Sequence, residues 1–173
     1  GRPVGFLPNN DWSKTVTIRE DGVVIDLSGE DDSANDQVVR GGFNFIKVDE
    51  VSKERMPFIP WLITSNTTGE SHVIVADENG VVDTESASHS TNPNANDNAY
   101  ANDSIDESLL DANAGIWFSG RTDLQTSPNN DMGALHYDTY TVQELASSKN
   151  NGYDLVSFTV RIDQHNVNVD MGT

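Results

Sequence analysis

The sequence predicts an all-β domain, a sandwich of about seven short strands carrying a long polar insertion. Three observations carry this expectation. β-Branched and aromatic residues recur in short runs with a period of two. Helical periodicity is nearly absent from the 173 residues. Turn signals such as Asp21-Gly22 and Asp77-Glu78-Asn79-Gly80 punctuate the runs.

Val16-Thr17-Ile18 and Val23-Val24-Ile25 flank Asp21-Gly22 and read as a hairpin. Residues 31–41 lie in a stretch rich in Ser, Gly, Asp and Asn and read as a linker. The next strand opens at Gly41 and runs to Val48, which puts Phe43, Phe45 and Lys47 on one face. Trp61–Thr64 and His72–Ala76 are the following strands, and Val81-Val82 begins another. An insertion then spans about 83–133, too polar from Asp83 to Asp106 to be core. Within it Ile105–Ala114 is expected as a short helix, because Ser104, Asp106 and Glu107 favour a helix start. Ile116-Trp117-Phe118 is a strand or an anchor returning the insertion to the body. Tyr140–Leu145, Leu155–Ile162 and Val167–Met171 complete the set.

Residues 16–27 share a strand, turn and strand pattern with residues 160–171, as in a tandem array. Residues 1–30 are then the closing hairpin of a preceding repeat, or an N-terminal appendage, and 42–173 the sandwich. A chain opening on Gly1 is expected of a processed or excised piece.

Composition removes whole classes of function. Lys and Arg number 10 against 28 Asp and Glu, for a net charge of -18. No basic patch can form to coat nucleic acid or dock on anionic lipid. Cysteine is absent, which excludes disulfides, thiol catalysis and thiolate metal sites. No apolar run reaches the length of about 18 residues needed for membrane insertion. His72, His89, His136 and His165 have no metal-site spacing, so neither a metal nor a cofactor is expected. No Gly-x-Ser-x-Gly elbow or phosphate-cradling loop is present. Asn92, Asn94, Asn96 and Asp97 form a possible ligand loop. Their oxygens suit calcium, but without EF-hand spacing, and a surface loop closed by Asx turns is the plainer reading. Trp12, Trp61 and Trp117 read as core or interdomain anchors, and an exposed one would suit sugar stacking.

Two charged residues fall where the pattern calls for apolar ones. Lys47 shares a face with Phe43 and Phe45, and Glu144 shares one with Tyr140 and Val142. Asp170 is a third, beside Val169 and Met171. One reading is a buried ion network, in which desolvation roughly cancels attraction. The other is covalent. Desolvation favours the neutral forms of amines and carboxyls. A neutral Lys47 amine can then attack the Asp170 side-chain carbonyl. A protonated Glu144 would stabilise the oxyanion and shuttle protons to the departing water. Phe43, Phe45, Tyr140 and Val142 would wall that pocket.

The segments Phe43-Asn44-Phe45-Ile46-Lys47-Val48-Asp49, Val75-Ala76-Asp77-Glu78-Asn79-Gly80 and Tyr140-Thr141-Val142-Gln143-Glu144 with Gly152-Tyr153 carry a resemblance. They resemble the B-type collagen-adhesin and pilin repeat domains of Gram-positive surface proteins, the SpaA-like or CnaB-type prealbumin fold. The likeness covers about 42–82 and 134–173. It departs where Phe58 and Ile59 replace the family's usual Gly-Ala, and in the acidic, Asn-rich insertion. The resemblance implies an immunoglobulin-like sandwich with an autocatalytic isopeptide bond. Lys47 would be the amine, Glu144 the catalytic acid and Asp170 the acceptor. Asn168 is the alternative acceptor, because Asp170 shares its strand face with Asn166 and Asn168. By the repeat match, Asp26 would be the acceptor of a preceding repeat. The implied protein is an extracellular, cell-wall-attached stalk rather than an enzyme acting on substrates. Its partners would be neighbouring repeats, and a host glycan or matrix protein. A binding module that uses the 83–115 loop is the alternative.

Overall fold

The computed structural model describes residues 4–5, 39–86, 100–101, 104–105, 114–119 and 133–173. Among the described residues ten strands run in chain order as β1 (Arg40–Ile46), β2 (Pro60–Ser65), β3 (Ser71–Val75), β4 (Val81–Asp83), β5 (Tyr100–Ala101), β6 (Ser104–Ile105), β7 (Leu135–His136), β8 (Asp138–Glu144), β9 (Ser157–Ile162) and β10 (Asn168–Asp170). One sheet has the order β10-β1-β4, with β7 also pairing β1, and the other has the order β3-β2-β8-β9. β5 and β6 form a small separate hairpin. The first sheet is mixed, since β10 runs parallel to β1 while β4 and β7 run antiparallel. The second is wholly antiparallel. The all-β sandwich expected from periodicity is the observed fold.

Alternation decides what the two sheets bury between them. Along β8 the inward residues Tyr140, Val142 and Glu144 are buried, while Thr141 and Gln143 are not. On β1 Phe43 and Phe45 are buried and stack at 6.1 Å between ring centroids. Phe45 meets Trp61 edge-on at 4.8 Å and Phe158 at 5.3 Å, which joins the sheets through aromatic contacts. Ile63, Ile74, Val160 and Ile162 extend this core.

Two expectations are revised and an open alternative is resolved. β1 starts at Arg40, inside the expected linker, because the Arg40 side chain is fully buried and part of the body. Its guanidinium lies 3.7 Å over the Trp117 ring and donates to the carbonyls of Phe118, Ser119 and Ala134. Ile105 belongs to β6 rather than to a helix, since Tyr100–Ala101 offers it a backbone partner; residues 106–113 lie outside the described residues. Ile116-Trp117-Phe118 is an anchor, not a strand: Ile116 N–H donates to Thr84 O and Phe118 N–H to Ala134 O. The hairpin expected at 16–25, with Asp26, lies outside the described residues, as do Trp12 and His89. Among the described residues no helix is long and apolar enough to cross a membrane.

Candidate functional site

Lys47 sits one residue past β1, where its backbone is held on both sides. Its N–H donates to Gly80 O at 2.9 Å, and its carbonyl accepts from Met56 N–H at 2.9 Å. The Gly80 turn is built by Asp77, whose Oδ1 accepts from Asn79 N–H and Val81 N–H. Gly80 itself has φ +73°, a region that L side chains rarely adopt. Glu144 closes β8 and pairs in register with Trp61 of β2.

These two placements bring Lys47 Nζ to 3.0 Å from Glu144 Oε2. The Glu144 side chain is fully buried and that of Lys47 is 13% exposed. The pair therefore spans the sandwich from the end of β1 in one sheet to the end of β8 in the other. Two more donors satisfy the carboxylate: Asn150 Nδ2 to Oε1 at 3.0 Å and Val156 N–H to Oε2 at 3.2 Å. A buried carboxylate with three donors, one of them charged, avoids the cost of an orphaned ion. Trp61 forms the wall beside it, with Lys47 Nζ 6.0 Å from the ring centroid.

Asn150, which the sequence alone did not single out, also belongs to this cluster. Its Oδ1 accepts from Ser147 N–H at 2.8 Å, an Asx-type closure of the loop after β8. The signal was present as Ser147-Ser148-Lys149-Asn150-Asn151-Gly152, a turn-rich run that says nothing about what the carboxamide touches.

The other proposed members lie elsewhere. The parallel register matches Phe43 with Val169 and Asn44 with Asp170. Val169 packs on the core, so Asn168 and Asp170 take the opposite face. Asp170 is exposed and accepts from Gly172 N–H at 2.9 Å. Asn168 Nδ2 donates to Asp83 Oδ1 at 3.1 Å. Level with Asn44, Asp170 is also three strand positions short of Lys47, about 10 Å along the sheet. The structure thus joins Lys47 to Glu144 and does not bring Asp170 or Asn168 to them. Beside Lys47 are Met171, Gly172 and Thr173, which line a cavity of about 360 Å³ with Phe45, Trp61 and Phe158. The expected pocket residues Phe43, Phe45, Tyr140 and Val142 are all in the core cluster. Asn92, Asn94, Asn96 and Asp97 lie outside the described residues. Among the described residues no group of three His, Cys, Asp or Glu side chains converges as a metal site.

No family model matches the chain, and no curated protein matches it. Among solved structures it is similar to the TIE protein of Bacillus anthracis, at 14% identity and TM-score 0.45, over 80% of this chain and 17% of that one. It is also similar to the major pilin subunit of Bacillus cereus, at 15% identity and TM-score 0.40, over 80% of this chain and 30% of that one. The chain therefore spans less than a third of either protein. Both TM-scores lie below 0.5.

Proposed function

We propose that this domain is a load-bearing structural unit of a Gram-positive surface protein, a stalk or pilin-like repeat rather than an enzyme acting on a substrate. The observation that carries this reading is the buried Lys47–Glu144 contact at 3.0 Å, which ties one sheet to the other at the end of β1. An amine and a carboxyl adjacent in an apolar, aromatic setting support the reading of a self-crosslinking site. In the proposed maturation step the Lys47 amine attacks a side-chain carbonyl carbon. A C–N bond forms, a C–O bond breaks, and one amine hydrogen leaves with the hydroxyl as water. Glu144 relays the proton. An asparagine acceptor would release ammonia instead. For Asp170 or Asn168 to serve, β10 would have to advance along β1 and turn its other face inward. The parent protein would be cell-wall-attached, its neighbours further repeats of the same polypeptide.

Intact mass under denaturing conditions tests this, run beside Lys47→Ala and Glu144→Ala. A wild-type chain lighter than its sequence by one water, with the deficit lost in both variants, supports a Lys-Asp bond. A deficit of one ammonia moves the acceptor to Asn168 or another asparagine. The full sequence mass overturns the crosslink and leaves Lys47–Glu144 as an ion pair between the sheets.

A further inference from the structure

Asn-Gly pairs occur twice in the chain, at 79–80 and at 151–152, and the fold treats them differently. In such a pair the glycine amide nitrogen can attack the asparagine side-chain carbonyl carbon, because no Cβ stands in its way. The attack needs a glycine N–H free to lose its proton and a backbone free to bring the two atoms together. Gly80 has neither. It is buried, its N–H donates to Asp77 O at 3.0 Å, and a side chain there would press on Lys47 O and Met56 O. Asn79 is pinned as well, by its own N–H to Asp77 Oδ1 and by its carbonyl, which accepts from Arg55.

Asn151-Gly152 is the opposite case. Both residues are exposed, in the loop between β8 and β9. Gly152 N–H and the Asn151 carboxamide have no hydrogen-bond partner among the described residues. Gly152 has φ +89° and open space where a Cβ would lie. We propose that Asn151 is a spontaneous modification site, converted to aspartyl and isoaspartyl forms with water as the only co-reactant. A bond forms between Gly152 N and Asn151 Cγ, the Cγ–Nδ2 bond breaks, and the Gly152 amide hydrogen leaves with Nδ2 as ammonia. Water then opens the cyclic imide at either carbonyl, which adds one negative charge to a chain already at -18. Opening to isoaspartate also puts an extra methylene into the backbone, inside the turn closed by Tyr153 N–H to Asn150 O at 3.1 Å. That turn carries the Asn150 carboxamide that donates to Glu144, so the modification is a clock on the loop behind the Lys47–Glu144 pair. It does not depend on the crosslink.

The test is peptide mapping of the purified chain after ageing in buffer at neutral and at mildly alkaline pH. Trypsin releases 150–161, and cleavage after glutamate releases 79–85. The expected result is a product in 150–161 that has exchanged one ammonia for one water. It should form faster at the higher pH and outrun Asn79 at least tenfold. In urea the protection given by the fold is gone, and the two sites should react at similar rates. Gly152→Ala should slow the reaction at least tenfold, and Asn151→Gln should abolish it over the same period. Aged wild type should melt lower than fresh protein, and aged Asn151→Gln should not. No product in 150–161, equal rates at the two sites in the folded chain, a gap that persists in urea, or an undiminished rate in Gly152→Ala overturns the proposal. Equal thermal losses in wild type and Asn151→Gln overturn the effect on the loop. The imide is lighter by one ammonia, the same deficit that an asparagine acceptor for Lys47 would leave. Found within 150–161 the deficit is the imide, and found in a peptide joined to Lys47 it is the crosslink, so the two readings fail separately.

Discussion

Asn150 and Glu144 hold each other in place across a six-residue loop: Asn150 Nδ2 donates to Glu144 Oε1 at 3.0 Å, while Asn150 Oδ1 accepts from Ser147 N–H at 2.8 Å. One carboxamide therefore fixes both the loop and the rotamer of the buried acid. Asn150→Ala should destabilise the domain by about 1–3 kcal/mol, because it leaves a buried carboxylate oxygen and a buried loop N–H without partners. Urea denaturation measures this, and a change below about 0.5 kcal/mol would show that water replaces the carboxamide. If the domain crosslinks, the same variant should also accumulate uncrosslinked mass, since Glu144 would lose one of the donors that fix its carboxylate beside Lys47.

The Lys47–Glu144 pair is tested by a double-mutant cycle. Lys47→Met removes the charged donor and strands a buried carboxylate, at a cost of about 3 kcal/mol or more. Glu144→Leu strands the ammonium in the same way but leaves Lys47 with a partial route to solvent. The double variant should recover much of either loss, because two apolar side chains can fill the space without a desolvated charge. Additive losses in chemical denaturation would mean that the pair is not coupled.

Much of this core was legible in the sequence, for a simple reason. The side-chain period of a strand is two, so Phe43, Phe45 and Lys47, and Tyr140, Val142 and Glu144, declared their faces before any coordinates. That argument fixes a face only where one face is plainly apolar. Val167-Asn168-Val169-Asp170-Met171 alternates as well, and the pattern alone already put Asp170 with Asn168 rather than with Val169. What alternation could not supply was the longitudinal position. Asp170 pairs with Asn44, and that parallel register along β1 leaves no hydrophobic signature in the sequence. Arg40 was hidden for a different reason. An arginine in a polar stretch reads as solvated, and only the fold shows three carbonyls and an indole converging on it.

Arg40 carries a prediction of its own. Burial lowers its pKa to about 10, with the nearby Tyr140 and Glu70 charges opposing that fall, so the guanidinium stays charged at neutral pH. It bridges β1 to Phe118, Ser119 and Ala134, the segments on which the insertion returns to the body. Arg40→Lys keeps a charge but loses the planar fork and most of the stacking on Trp117. It should cost about 3 kcal/mol, and Arg40→Met should cost less, because it leaves carbonyls unpaired but buries no ion. Thermal melts of the two variants order them. If lysine is the better tolerated, the charge matters more than the fork.

Acid should weaken the domain in two steps. His165 Nδ1 accepts from Arg40 N–H at 3.2 Å, a bond that requires an unprotonated nitrogen, and burial lowers its pKa. Its contribution is present above the ordinary histidine value of about 6.5 and is lost as pH falls through the lower folded value. Asp138 titrates later. Burial pushes its carboxyl up, but hydrogen bonds from Ser65, Thr67 and Thr139 outweigh burial and hold it below the usual range. Its contribution is present above about pH 4 and is lost as pH falls through the folded value. The bonds from Ser65 and Thr67 pin the turn between β2 and β3, so Asp138→Asn should lower stability at neutral pH and flatten the lower part of the acid limb. His165→Gln should flatten only the upper part. Denaturation midpoints measured from pH 7.5 down to about 3 separate the two. An unchanged profile in Asp138→Asn would show that other carboxylates set the acid limb.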